Sequence, residues 1–181
     1  GENATADGIF GAIAIGKNVT SVGQNAVAIG GIYSDIIPTE ASGVAATAVG
    51  PGARARGPGA SAFGINSLAS GMDSIVIGDL AKSTNTGSLA LGFLAEATGV
   101  NSIAIGSRSM ATHDNSIALR AATTAKNQFV IGGISGITID TIVNGALSVA
   151  GGDAAVTTQG NGIILRATAG AKCYRLTINN A

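Results

Sequence analysis

Residues able to do chemistry are few and scattered in this chain of 181 residues. The single imidazole, His113, cannot anchor a metal cluster alone, and its place in a turn suits a turn residue better than a general base. Ten carboxylates are present: Glu2, Asp7, Asp35, Glu40, Asp73, Asp79, Glu96, Asp114, Asp140 and Asp153. Two of them held about 5–9.5 Å apart would suit glycoside hydrolysis. Asp73 and Asp114 lie at turn positions beside strand motifs, so solvated turn residues are the preferred reading. A pair formed between subunits stays open. Gly50-Pro51-Gly52 with Ala55, and Gly57-Pro58-Gly59 with Ala62, each satisfy G-x-G-x-x-A. No helix pattern follows either, so neither reads as a dinucleotide site. Cys173 is the lone cysteine, which excludes an intrachain disulfide and a multi-cysteine metal site. The expectation is therefore no enzyme, no cofactor and no metal.

Two groups of residues suggest recognition instead. Arg54 and Arg56 lie two apart, on one face of a strand, and read either as a basic patch for anionic polysaccharide or as a solvated pair. The segment Gly31–Ser42 holds Tyr33, one of two tyrosines, close to Asp35 and Glu40. Tyrosine offers an apolar face to a sugar ring and a hydroxyl to its polar edge. Equally, Ile32, Ile36 and Ile37 could cover a neighbouring subunit.

The composition limits what can position these groups. Gly accounts for 28 residues, charged residues for 11% and aromatics for 3%, while 46% of positions are apolar. Disorder requires low hydrophobicity and high net charge, and neither holds. Ten basic residues balance ten acidic ones, so there is no electrostatic footprint for nucleic acid or an anionic membrane. No apolar run approaches the ~18 residues of a membrane span. A start at Gly1, without a signal-like segment, suggests a fragment or a processed product.

The positioning element is a repeat. GAIAIG ends at Gly16, NAVAIG at Gly30, AATAVG at Gly50, GASAFG at Gly64, DSIVIG at Gly78, GSLALG at Gly92, NSIAIG at Gly106 and NSIALR at Arg120. The step is 14 except from 30 to 50, which contains six extra residues within Gly31–Ser42. A second mark falls at the half-step, at Gly23, Gly43, Gly57, Gly71, Asn85, Gly99 and His113. Asn and His tolerate positive φ, so this position is expected to be left-handed. Ile-Ala-Ile spacing is period 2, which favours strands over a heptad helix. The fold class is thus all-β, a β-roll solenoid with two short strands per coil, each coil pairing in parallel with the next.

Side-chain alternation divides the faces. Large residues three and one before the coil glycine, such as Ile75 and Ile77 or Ile103 and Ile105, are expected to point into the roll. Small residues three and five after it, such as Ala53 and Ala55 or Ser109 and Ala111, face them. The alternate alanines Ala14, Ala28, Ala48, Ala62, Ala90, Ala104 and Ala118 then form an outward stripe, expected to be the interface with other copies.

The recurring [N/G/D]-[S/A]-[I/V/L]-A-[I/L]-G over residues 9–120 resembles the head of trimeric autotransporter adhesins, the YadA-like left-handed parallel β-roll. That resemblance implies a homotrimer with three rolls side by side. Residues 115–132, with Asn115-Ser116-Ile117-Ala118-Leu119 followed by Asn127-Gln128-Phe129-Val130-Ile131-Gly132, resemble the neck that closes such heads and passes the chain between subunits. Residues 133–181 leave the repeat and read as a β-rich module of short strands. Within it, Gly160–Gly170 and Tyr174–Asn180 are similar to a segment near the ends of bacteriophage tail fibres and tailspikes. The expected organisation is a head over 1–120, a closing segment over 115–132 and a terminal module over 133–181. The expected function is attachment to a bacterial surface through polysaccharide or an outer-membrane receptor, in a phage tail fibre. The alternatives are a bacterial adhesin binding host matrix and, less favoured, a depolymerase spike.

Overall fold

The computed structural model describes residues 1–8, 10–34 and 37–132. The expected β-rich module over 133–181 lies outside them, as does Asp35. The described residues form a parallel β-solenoid of about nine coils without a helix, and the chain alternates between two sheets. Sheet 1 contains β1 (Thr5–Ala6), β3 (Val19–Ser21), β6 (Ile37–Ala41), β8 (Arg54–Ala55), β10 (Leu68–Ala69), β12 (Lys82–Ser83), β14 (Glu96–Ala97) and β16 (Met110–Ala111). Sheet 2 contains β2 (Ile13–Gly16), β4 (Val27–Gly30), β7 (Thr47–Val49), β9 (Ser61–Phe63), β11 (Ile75–Ile77), β13 (Leu89–Leu91), β15 (Ile103–Ile105), β17 (Ile117–Leu119) and β18 (Phe129–Ile131). At about 4.8 Å per strand, nine strands span roughly 38 Å.

The 14-residue step sets the register directly. Ile75 pairs with Leu89, Leu89 with Ile103 and Ile103 with Ile117, so equivalent side chains stack in columns. The last step is shorter: Ile117 pairs with Phe129, twelve residues on. There β18 extends sheet 2 beyond the last regular coil.

Turns close each coil at two corners. At the coil corner, after the repeat glycine, Ser109 N–H donates to Gly106 O at 3.1 Å. At the half-step corner, Ala46 N–H donates to Gly43 O at 3.2 Å. The coil glycines have φ values such as +128° at Gly64 and +135° at Gly92, which other residues avoid. The half-step position differs from expectation, since Gly43, Gly71, Asn85 and His113 are absent from the left-handed region. Left-handed backbone occurs two residues later, at Asn25, Asp73, Asn101 and Asn115. Glycine recurs at the half-step because coils approach closely there: a Cβ on Gly57 would lie 2.0 Å from Gly71 O.

The face assignment is also reversed. Ala28, Ala48, Ala62, Ala90, Ala104 and Ala118 are fully buried inside the roll, with Ala14 packed at its end. Their neighbours Ile13, Ile15, Ile75, Ile77 and Leu91 point outward, Ile15 to 54% exposure. The alanines assigned to the trimer interface are therefore core residues. The reason is the corner: a four-residue β-turn brings its ends within about 7 Å, whereas sheets packed through large side chains stand about 10 Å apart. Only methyl and hydroxymethyl groups fit between sheets joined so tightly. The small residues of sheet 1, including Ala53, Ala55, Ser67, Ala69, Ser109 and Ala111, do point inward as expected.

Buried serines satisfy their hydroxyls on nearby carbonyls. Ser74 Oγ donates to Gly71 O at 2.8 Å, Ser102 Oγ to Gly99 O at 2.7 Å and Ser109 Oγ across the roll to Ala118 O at 2.8 Å. Serine thus fills the core with little more volume than alanine and also ties the corners to it.

Candidate recognition surface

The six extra residues build a hairpin at the coil corner. After Gly30 the chain forms β5 (Ile32–Tyr33), which turns back to pair antiparallel with the start of β6, Ile32 opposite Pro38 and Tyr33 opposite Ile37. Thr39, buried, anchors its base: its hydroxyl accepts from Gly31 N–H at 3.0 Å and lies 2.7 Å from Gly50 O, to which it can donate. β6 then rejoins sheet 1 with Val19 paired to Thr39 and Glu40 to Arg54. The solenoid register is thereby restored. Gly52 makes room for the hairpin, since a Cβ there would lie 2.6 Å from Tyr33 Cβ and 3.3 Å from Ile37 Cγ2. Tyr33 and Ile37 are half-buried against this corner.

Below the hairpin, the outward face of sheet 1 gathers Glu40, Arg54 and Arg56. Arg56 donates to Glu40 Oε2 from Nη2 at 2.7 Å and from Nε at 3.0 Å, and Ser42 Oγ donates to Oε1 at 2.7 Å. Arg54 Nη2 donates to Asn66 Oδ1 at 3.1 Å, while its Nε is buried without a partner. Burial raises the Glu40 pKa, but the bonds from Arg56 and Ser42 and the charges of Arg56 and Arg54 outweigh it, leaving it below the ordinary carboxylate value. Arg54 is held below the usual guanidinium value by burial and then by Arg56, against the pull of Glu40.

The arginines are thus not an isolated basic pair. Arg56 is neutralised by Glu40, and Arg54 leaves one net positive charge on the cluster. The structure brings Glu40, Arg54 and Arg56 together and puts Tyr33 on the adjoining hairpin. The Glu40–Arg56 bond spans adjacent coils, whose strands keep the 14-residue step, Glu40 opposite Arg54 and Ala41 opposite Ala55. His113 lies at a turn as expected, with Nδ1 3.1 Å from Thr112 Oγ1. Among the described residues, no three His, Cys, Asp or Glu side chains gather as metal ligands. No helix among them is long and apolar enough to cross a membrane.

Because Glu40 titrates lower in the folded chain than unfolded, its contribution is present above the unfolded pKa, about 4.3, and is lost as pH falls through the folded value. Melting curves of the parent and Glu40→Gln should therefore differ at pH 7 by about 0.5–1 kcal/mol, a small value suited to a partly exposed pair. They should converge as pH falls through the lowered folded value, where the carboxylate is protonated in both states. A difference that persists in acid would assign the stabilisation to something other than the ionised carboxylate.

Three stretches match a known family model. Residues 41–67, 69–95 and 97–119 match the YadA head domain repeat, whose model spans two copies of the repeat. Each stretch begins two coils after the one before. Over the matched residues the chain is similar to YadA head repeats, which supports the resemblance read from the motif there. No curated protein matches the chain.

Proposed function

We propose that this chain is a non-enzymatic segment of a homotrimeric surface fibre that attaches to cells. The observation carrying this reading is the outward face of sheet 2. Ile13, Ile15, Ile75, Ile77, Leu91, Phe129 and Ile131 are exposed along it, with Val27, Leu89, Ile103 and Ile117 half-exposed between them. A face of nine strands that is apolar except at Thr47 and Ser61 is far more than single scattered hydrophobics, and burying it requires partner surface. Three copies with this face turned inward leave sheet 1 and the Tyr33 hairpin facing outward. The match to YadA head repeats agrees with this arrangement, because adhesin heads of that family are homotrimeric and exposed at cell surfaces.

Three hairpins at fixed spacing give multivalent attachment, in which weak single contacts combine. We favour a phage tail fibre, with polysaccharide or an outer-membrane receptor on a bacterium as its target, because residues 160–180 resemble the ends of such fibres. A bacterial adhesin binding host matrix is the second reading, favoured by the family match itself. Light scattering should give three times the chain mass. Tyr33→Ala should preserve that mass and reduce adsorption to bacterial cells at least fivefold. Full adsorption by the variant would move the contact off the hairpin, and binding to matrix proteins but not bacteria would select the adhesin reading.

A further inference from the structure

Apolar exposure continues beyond sheet 2 around both of its long edges, and there it has a period of two coils. At the half-step corner, the residue after the marker is Val44, Pro58, Met72, Thr86, Val100 and Asp114 in successive coils. Large apolar side chains fall on alternate coils: Val44 is 50% exposed, Met72 50% and Val100 38%. At the coil corner, the residue after the glycine is Pro51, Ile65, Asp79, Phe93 and Ser107. Here too alternate coils carry the large ones, Ile65 at 40% and Phe93 at 42%.

The two alternations are out of phase. Val44, Met72 and Val100 lead into β7, β11 and β15, whereas Ile65 and Phe93 follow β9 and β13. Each edge therefore presents projections where the other has smaller or polar residues, at a spacing of roughly 9.6 Å, two strand separations.

We propose that these edges interlock between neighbouring copies of the chain, the coil corner of one against the half-step corner of the next, as a two-coil zipper. The inference rests on the trimer reading. A closed three-fold ring joins unlike edges and has no translation along its axis, so equivalent residues stay level. Ile65 and Phe93 of one copy then enter the gaps on either side of Met72 in its neighbour. Continuity with the apolar face of sheet 2 makes the edges the outer borders of one interface. The Arg108 guanidinium of the next coil lies over the Phe93 ring, 5.9 Å from its centroid.

Cysteine crosslinking tests this pairing on the full chain carrying Cys173→Ser. Met72→Cys with Ile65→Cys, and Val100→Cys with Phe93→Cys, provide two independent pairs. Within one chain these edges are separated by the width of sheet 2, roughly 15 Å at 3.3 Å per residue, beyond the ~7 Å Cα limit of a disulfide. Mild oxidation should shift most of each double variant into covalent dimers and trimers on non-reducing gels, with single variants shifting at least fivefold less. Met72→Cys with Met110→Cys, whose second member lies on sheet 1, should not crosslink. Light scattering under reduction checks assembly of every variant. Trimers that do not crosslink through either pair overturn the zipper and leave the trimer reading standing; a parent chain that is monomeric overturns both.

Discussion

Ala104→Leu is expected to destabilise the roll by about 3 kcal/mol, the upper end of the usual overpacking cost. Ala104 is fully buried and sits on β15, between Ala90 and Ala118 in neighbouring strands. Three added carbons there have no space, because the corner turns fix the separation of the sheets. A loss of that size should lower the melting temperature by on the order of 10 °C in a domain of this length. Ile103→Leu, one residue away on the outward face, should change it by no more than a few degrees. Equal effects of the two substitutions would contradict the assignment of alanine to the interior.

Ile77→Glu should act on assembly rather than on the roll. Its side chain is 45% exposed in one chain, so a single copy tolerates a carboxylate there. In a trimer the change occurs three times. If each copy forgoes about 2 kcal/mol of apolar burial, the trimer loses roughly 6 kcal/mol, or about four orders of magnitude in association constant. Light scattering at micromolar concentration should then show the single-chain mass, and like-charge repulsion should make the loss greater at low salt. An unchanged trimer would exclude the face of sheet 2 from the interface. Leu91→Glu repeats the test one coil away.

The difference between these two substitutions also shows which parts of the structure could be read from sequence. Glycine and the motif at every fourteenth residue determine the coil length, the strand positions and the parallel register, because any slip would misplace the whole column. Choosing the buried face is harder. In Ser102-Ile103-Ala104-Ile105 one set of alternate residues is small, Ser102 and Ala104, the other large and apolar, Ile103 and Ile105, and the general tendency to bury the larger set points the wrong way. What decides it is the short span of a turn, which is a property of three-dimensional closure. The left-handed turn position was legible in the first residue of the motif, where Asn25, Asp73, Asn101 and Asn115 recur. The half-step glycines instead answer to crowding by the next coil. For the recognition surface, Tyr33, Glu40, Arg54 and Arg56 were identifiable by type. Glu40 stands fourteen residues before Arg54, so their adjacency was implicit in the register; it went unread because the extra residues could lie anywhere within Gly31–Ser42 until the fold placed them ahead of Thr39.

The parallel register makes the length of this molecule adjustable in discrete increments. Removing fourteen residues, for example from Gly78 through Leu91, brings equivalent strands together and shortens the rod by a single strand spacing, about 4.8 Å. Such a deletion preserves every column but sets the alternating corners out of step beyond it. Removing twenty-eight keeps both. A solenoid built this way can change its length by pairs of coils while keeping both patterns, so two coils are the natural unit of exchange.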